Sequence, residues 1–215
     1  MTPPESHHAR TARQTSRRLG SEERRRRILQ AARACFGQLG FAGATVEAIA
    51  AQAGVSNGLL YQFFKNKEHL FEVVLEELLR DWVRAMLPRG DHEAQTASRK
   101  LELMLRRSVA FCRSHPLLPA LMSGDQALQL QRVRRAAANR VQPHRDLVAS
   151  ILREGIGSGE FRHDLDVASA ADIICLLHAE YAGRFYRNDP NFPARPALVE
   201  EAIRFVRAAV ASRDS

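Results

Sequence analysis

Gly54 is the residue that most limits what this chain can fold into. It stands in AGVS (53–56), between two short runs that each bury one helical face. TVEAIA (45–50) turns Val46, Ile49 and Ala50 inward, and SNGLLYQF (56–63) turns Leu60 inward. A sharp turn between two helices needs a residue that tolerates positive φ, which glycine does without steric cost. Ala50 is small enough for the two helices to approach closely. The spacing predicts a helix-turn-helix over 45–63.

The rest of the chain also reads as helix. Ile28, Ala31, Ala32, Cys35, Phe36 and Leu39 form a helical stripe, with Ser21 as the expected N-cap and Gly40 as the stop. Asn66 is expected to cap a long helix to about Leu87. Further helices are predicted near 93–114, more weakly over 126–140, from Pro143 to 155, over 166–187 and over 196–212. No segment alternates with period two. The expected fold class is all-α: a disordered basic tail over 1–20, a three-helix reader over 21–67, and a helical bundle over 68–215.

Charge narrows the partner. The net charge is +8, and residues 1–27 hold eight arginines against three glutamates. Such a balance points to a polyanion. The second helix of a helix-turn-helix lies in the DNA major groove, which gives the residues around Gly54 a use. Ser56 caps that helix and leaves its first N–H groups for phosphate oxygens. Gly58 removes a side chain where backbone would approach DNA. Tyr61 and Gln62 offer a hydroxyl and an amide to phosphates or base edges, and Lys65 and Lys67 can neutralise phosphates. Phe63 reads equally as a sugar contact or as core; Phe64 reads as core. Arg24, Arg25, Arg26 and Arg27 lie in the first turns of a helix, where the dipole disfavours positive charge. Nearby phosphates would explain them, and a solvated helix start is the alternative. Residues 1–20 read as either a basic arm or a passive tail.

The run ILQAARACFGQLGFAGATVEAIAAQAGVSNGLLYQFFKNKEHLF (28–71) resembles the DNA-binding domain of tetracycline-repressor (TetR) family regulators. ATVEAIA, AGVS, Leu60-Tyr61, Phe64, Lys65, Lys67, Glu68 and Leu70 carry the resemblance, with GEFRHDLD (159–166) as a weaker echo. It implies that Thr45, Ser56, Asn57, Gly58, Tyr61, Gln62 and Lys67 occupy DNA-contacting positions. Asn57 stands where the family commonly has lysine, and Leu59 at an exposed position suits a thymine methyl. The resemblance further implies a ligand-binding and dimerisation domain, with the last two long helices pairing across a two-fold. Ala170, Ile173, Leu177, the Glu180/Arg184 pair, Ile203, Val206 and Val210 are the expected interface residues. Trp82, Met86, Met104, Phe111, Met122, His178, Tyr181 and Phe185 are the expected effector-pocket residues; they are also what any helical core contains.

Other chemistry finds little support. Tyr61 and Lys65 match the Y-x-x-x-K spacing of some dehydrogenases, but no Gly-rich turn follows a strand. Cys35, Cys112 and Cys175 are far apart, and the eight histidines show no ligand spacing, so neither metal nor cofactor is expected. No apolar run reaches the roughly 18 residues of a membrane span, and the arginine-rich start is not a secretory signal. The expectation is a cytoplasmic, homodimeric, ligand-responsive repressor on an inverted-repeat operator of double-stranded DNA, not an enzyme. A ligand-independent architectural DNA binder is the rival.

Overall fold

The computed structural model describes residues 7–87, 96–118, 131–187 and 196–212. Eight helices are named among them: α1 (His7–Gly43), α2 (Val46–Ala53), α3 (Asn57–Phe63), α4 (Lys67–Met86), α5 (Ala97–Ser114), α6 (Gln131–Gly157), α7 (Val167–Arg187) and α8 (Pro196–Val210). The chain divides into two compact units at Val74/Leu75, inside α4 rather than before it.

In the first unit, α1 supplies Ile28, Ala32 and Phe36 to a core completed by Ile49, Leu60, Phe64, Leu70 and Phe71. Gly40 adopts φ 68°, which breaks the helix, and one further turn follows to Gly43. That break carries Phe41 back onto the core. Its ring lies 5.0 Å from Phe71, which meets Phe36 edge-on at 4.8 Å. Leu39, expected in the buried stripe, is exposed instead. Ser21 is not a cap, because α1 runs through it from His7, and helix therefore replaces the expected tail over most of 1–20. Alanine, arginine and glutamine before Ser21 are good helix formers, and a serine alone does not stop such a run.

The second unit is built around α5, which packs on α6, α7 and α8. Thr96 caps α5 by accepting from Arg99 N at 3.1 Å. Glu160 adds a second cap from a distant turn: its carboxylate accepts from Ala97 N and Ser98 N, each at 3.0 Å. These amides, with the Ser158 hydroxyl, hold the Glu160 carboxyl below its ordinary range against the opposing effect of burial. The same turn ties down the end of α8, since Arg162 N donates to Val210 O and Ser212 N to Glu160 O. Phe161 packs over Gly155, where any Cβ would collide with its ring. Arg106 crosses from α5 to the Glu200 carboxylate on α8, donating through Nη2 at 2.7 Å. Pro143 was expected in a first turn and lies well inside α6. Proline's fixed φ is helical, so the helix continues at the loss of one backbone hydrogen bond.

Candidate functional site

Local chemistry builds the turn between α2 and α3. Thr45 Oγ1 accepts from Ala48 N at 3.2 Å and starts α2. Gly54 ends it in the left-handed region, φ 65° and ψ 43°. Its amide donates to Ala51 O at 3.1 Å, and Val55 N donates to Ala50 O at 3.0 Å. Ser56 Oγ then accepts from Leu59 N at 3.2 Å and starts α3. One residue of α3, Leu60, is fully buried, and it fixes the helix's roll. The outer face then carries Ser56, Asn57, Gly58, Tyr61 and Gln62, all exposed, with Leu59 half-buried beside them. Tyr61 is 51% exposed, which removes it from the core. Nothing lies within 4 Å of where a Gly58 Cβ would be, so this face is open to a close-approaching backbone.

The basic residues divide by role. Arg24, Arg25 and Lys65 are exposed, and Arg25 lies over the Phe64 ring at 5.8 Å. Arg26 is held by Glu23, at 3.0 Å from Nε and 2.8 Å from Nη2. That pairing lowers the Glu23 carboxyl and raises the guanidinium. Arg27 has a different task from the phosphate contact expected of its cluster: Nη2 donates to Ala53 O at 2.6 Å and clamps the end of α2. Lys67 likewise acts as a clasp. Its ammonium donates to Phe41 O at 3.0 Å and Ala44 O at 3.1 Å, and lies 4.5 Å from the Phe41 ring. Two of its three N–H donors are thereby engaged within the fold. Both clasps join residues 26 apart in the chain, and only the tertiary structure reveals them.

In the second unit, a small apolar cavity of about 30 Å³ lies among α5, α7 and α8. Of the expected pocket residues, His178 and Tyr181 line it. Trp82, Met86 and Met104 are packed core, and Trp82 Nε1 donates to Ser108 Oγ at 3.0 Å. Phe111 stacks on His115 at 3.9 Å. Met122 and the side chain of Phe185 lie outside the described residues. Sequence reading missed His144, which is buried against Trp82 and His178. Its place four and eight residues before Val148 and Leu152 in the buried stripe of α6 was the available signal.

The expected interface residues also separate. Ile203, Val206 and Val210 are buried within the protomer, whereas Ile173 and Leu177 on α7 are exposed. Leu176, Leu198 and Phe205 join them as exposed apolar side chains that the sequence reading left out. A groove of about 200 Å³ runs between α7 and α8 past Ala170, Ile173, Leu177 and Phe205. Among the described residues no cluster of metal-ligating side chains occurs, and no helix is long and apolar enough to cross a membrane.

Residues 28–74 match the family described as bacterial regulatory proteins, tetR family. Over 148 residues the chain is 32% identical to the HTH-type transcriptional repressor KstR2 of Mycolicibacterium smegmatis, spanning 67% of this chain and 70% of that one. It is 27% identical over 165 residues to the fatty acid metabolism regulator protein of Bacillus subtilis, spanning 77% and 84%. Among solved structures, the transcriptional regulator FadR from Bacillus subtilis in complex with stearoyl-CoA is similar, with TM-score 0.72 and 25% identity over 86% of this chain and 98% of that one.

Proposed function

This chain belongs to the tetR family of bacterial regulatory proteins and is a helix-turn-helix transcriptional repressor, and from that premise we propose how it works. It binds an inverted-repeat operator as a symmetric homodimer, and a small apolar or amphipathic effector in the second unit releases it. The exposed outer face of α3, set by the burial of Leu60, is the observation that carries the DNA-contacting part of this reading. Ser56, Asn57, Gly58, Leu59, Tyr61 and Gln62 are proposed to meet the groove, with Thr45, Arg24, Arg25 and Lys65 on the phosphates.

The effector part rests on the small apolar cavity among α5, α7 and α8 and on relatives named for regulating fatty acid metabolism or solved in complex with stearoyl-CoA. The helix α4 begins in the first unit and ends in the second, so the chain itself joins cavity and reader. An effector acts by preferring the conformation that does not fit the operator. A tenfold loss of operator affinity takes about 1.4 kcal/mol of coupling.

Duplex titration at graded salt tests the DNA contacts. A dimer neutralising roughly 6–10 phosphates gives log affinity a slope of about −5 to −9 against log salt. Tyr61→Ala is expected to weaken operator binding by about 1–3 kcal/mol and to leave the urea midpoint unchanged. A variant that lost stability but kept its affinity would return Tyr61 to the core and remove it from the reader.

A further inference from the structure

The arginines at the start of α1 keep to one register. Residues 7–20 hold Arg10, Arg13, Arg17 and Arg18 and no acidic residue. They form one continuous helix with the core-forming part of α1, whose backbone first leaves helical geometry at Gly40. Arg10, Arg13, Arg17 and Arg24 stand 18, 15, 11 and 4 residues before Ile28. At about 100° per residue, all four positions fall within about 60° of Ile28. Ile28 is fully buried in the core of the first unit. The face of α1 that packs on the reader therefore continues, towards the N-terminus, as a ridge of arginine positions.

Neighbouring contacts place the start of that ridge. Arg27 Nη2 donates to Ala53 O, at the end of α2. The Arg25 guanidinium lies over the ring of Phe64, at the end of α3. Arg24 Nη1 lies 3.6 Å from where a Gly20 Cβ would be, so its guanidinium reaches back along α1. Residues 24–27 thus stand beside the helix-turn-helix, and the same helix continues from there to His7. From Arg24 to Arg10 it rises about 21 Å, the length of about six base pairs.

The composition limits what such a ridge can take. Of residues 7–20 only Ala9, Ala12 and Leu19 are apolar, which makes no face for a protein core or a bilayer. Arg10 and Arg13 lie near the helix start, where the dipole disfavours positive charge, so they do not serve the helix itself. A row of guanidinium groups suits a row of phosphates. We propose that Arg10, Arg13, Arg17 and Arg24 form a helical ridge that lies along the phosphate backbone of double-stranded DNA, next to the groove that α3 enters. The inference rests on the DNA-contacting reading above and extends it to a segment outside the helix-turn-helix.

The test uses a duplex that the full-length protein selects from a random pool. Removing residues 1–19 is expected to weaken binding about tenfold or more at physiological salt. It also flattens the slope of log affinity against log salt by about 2–5, since up to about six phosphate contacts leave with Arg10, Arg13 and Arg17 of two copies. A second variant keeps the net charge and moves it across the helix: Arg10→Gln, Arg13→Gln and Arg17→Gln with Ala12→Arg, Thr15→Arg and Leu19→Arg, which stand on the opposite face. It is expected to follow the deletion. Both variants keep the thermal midpoint of wild type, because among residues from Gly20 onward the buried face of α1 starts at Ile28. A slope flattened by less than about 1, the share of one phosphate contact, or a charge-moved variant that binds as wild type does, overturns the ridge and leaves the reader in place. Wild type that selects no duplex, or whose affinity ignores salt, overturns the reader as well. Amide hydrogen exchange of wild type gives a reading free of any variant. Residues 7–20 are expected to exchange more slowly once the duplex is added; unchanged exchange contradicts the proposal.

Discussion

Leu176→Glu combined with Phe205→Glu is expected to convert the proposed dimer into a folded monomer and to reduce operator affinity by more than a hundredfold. Leu176 is 68% exposed and Phe205 66% exposed in the protomer, so the monomer loses little by either change. A dimer seam over α7 and α8 would bury both side chains. Carboxylates there must shed water without gaining a partner, which costs several kcal/mol, and two-fold symmetry places each substitution in the seam twice. A loss of about 3 kcal/mol already exceeds a hundredfold. Sedimentation and operator titration of the double variant report the two effects separately. Ile203→Glu would answer a different question. That residue is buried inside the protomer, and its replacement would unfold the second unit. A double variant that sediments as a dimer places the seam elsewhere.

Gly54→Val is expected to lower the stability of the first unit by about 2–4 kcal/mol and to abolish operator binding. The backbone at Gly54 has φ 65°, and a Cβ there would lie 2.5 Å from Arg27 Nη2. A β-branched residue at such a φ costs on the order of 1–3 kcal/mol. Displacing Arg27 also breaks its bond to Ala53 O, a charge-assisted hydrogen bond worth on the order of 1–3 kcal/mol. Arg27→Ala alone would show the smaller share. Urea unfolding followed by a probe in the first unit measures the loss. An unchanged midpoint with unchanged operator affinity would mean that the turn does not govern the position of α3.

The helix-turn-helix was legible because its determinants are local. Thr45, Gly54, Ser56 and Asn66 each act on backbone within a few residues, by capping or by tolerating positive φ. Residues whose partners lie far along the chain were not legible. Arg27 and Lys67 look like phosphate contacts in a basic sequence, and only the fold brings Ala53, Phe41 and Ala44 to them. Glu160 was similarly hidden: its partners are the first amides of α5, some 60 residues earlier. The helix α8 shows a further limit of periodicity. Ile203, Val206 and Val210 form one apolar stripe, and Leu198 and Phe205 lie on the opposite face. Hydrophobic spacing identifies both faces, but which one the chain buries itself depends on what α5 and α7 present to it. Ser21 and Pro143 misled for the converse reason, since a local signal was read without the helix-forming residues around it.

Two copies of this reader are proposed to address DNA through a symmetric assembly. Selection of duplexes from a random pool by the full-length protein, at physiological salt, tests it most directly. The recovered sequences should share an inverted repeat whose half-site centres lie one helical turn, about 34–36 Å, or a multiple of it apart. Recovery of a single unrepeated motif, or of no common sequence, would contradict the account.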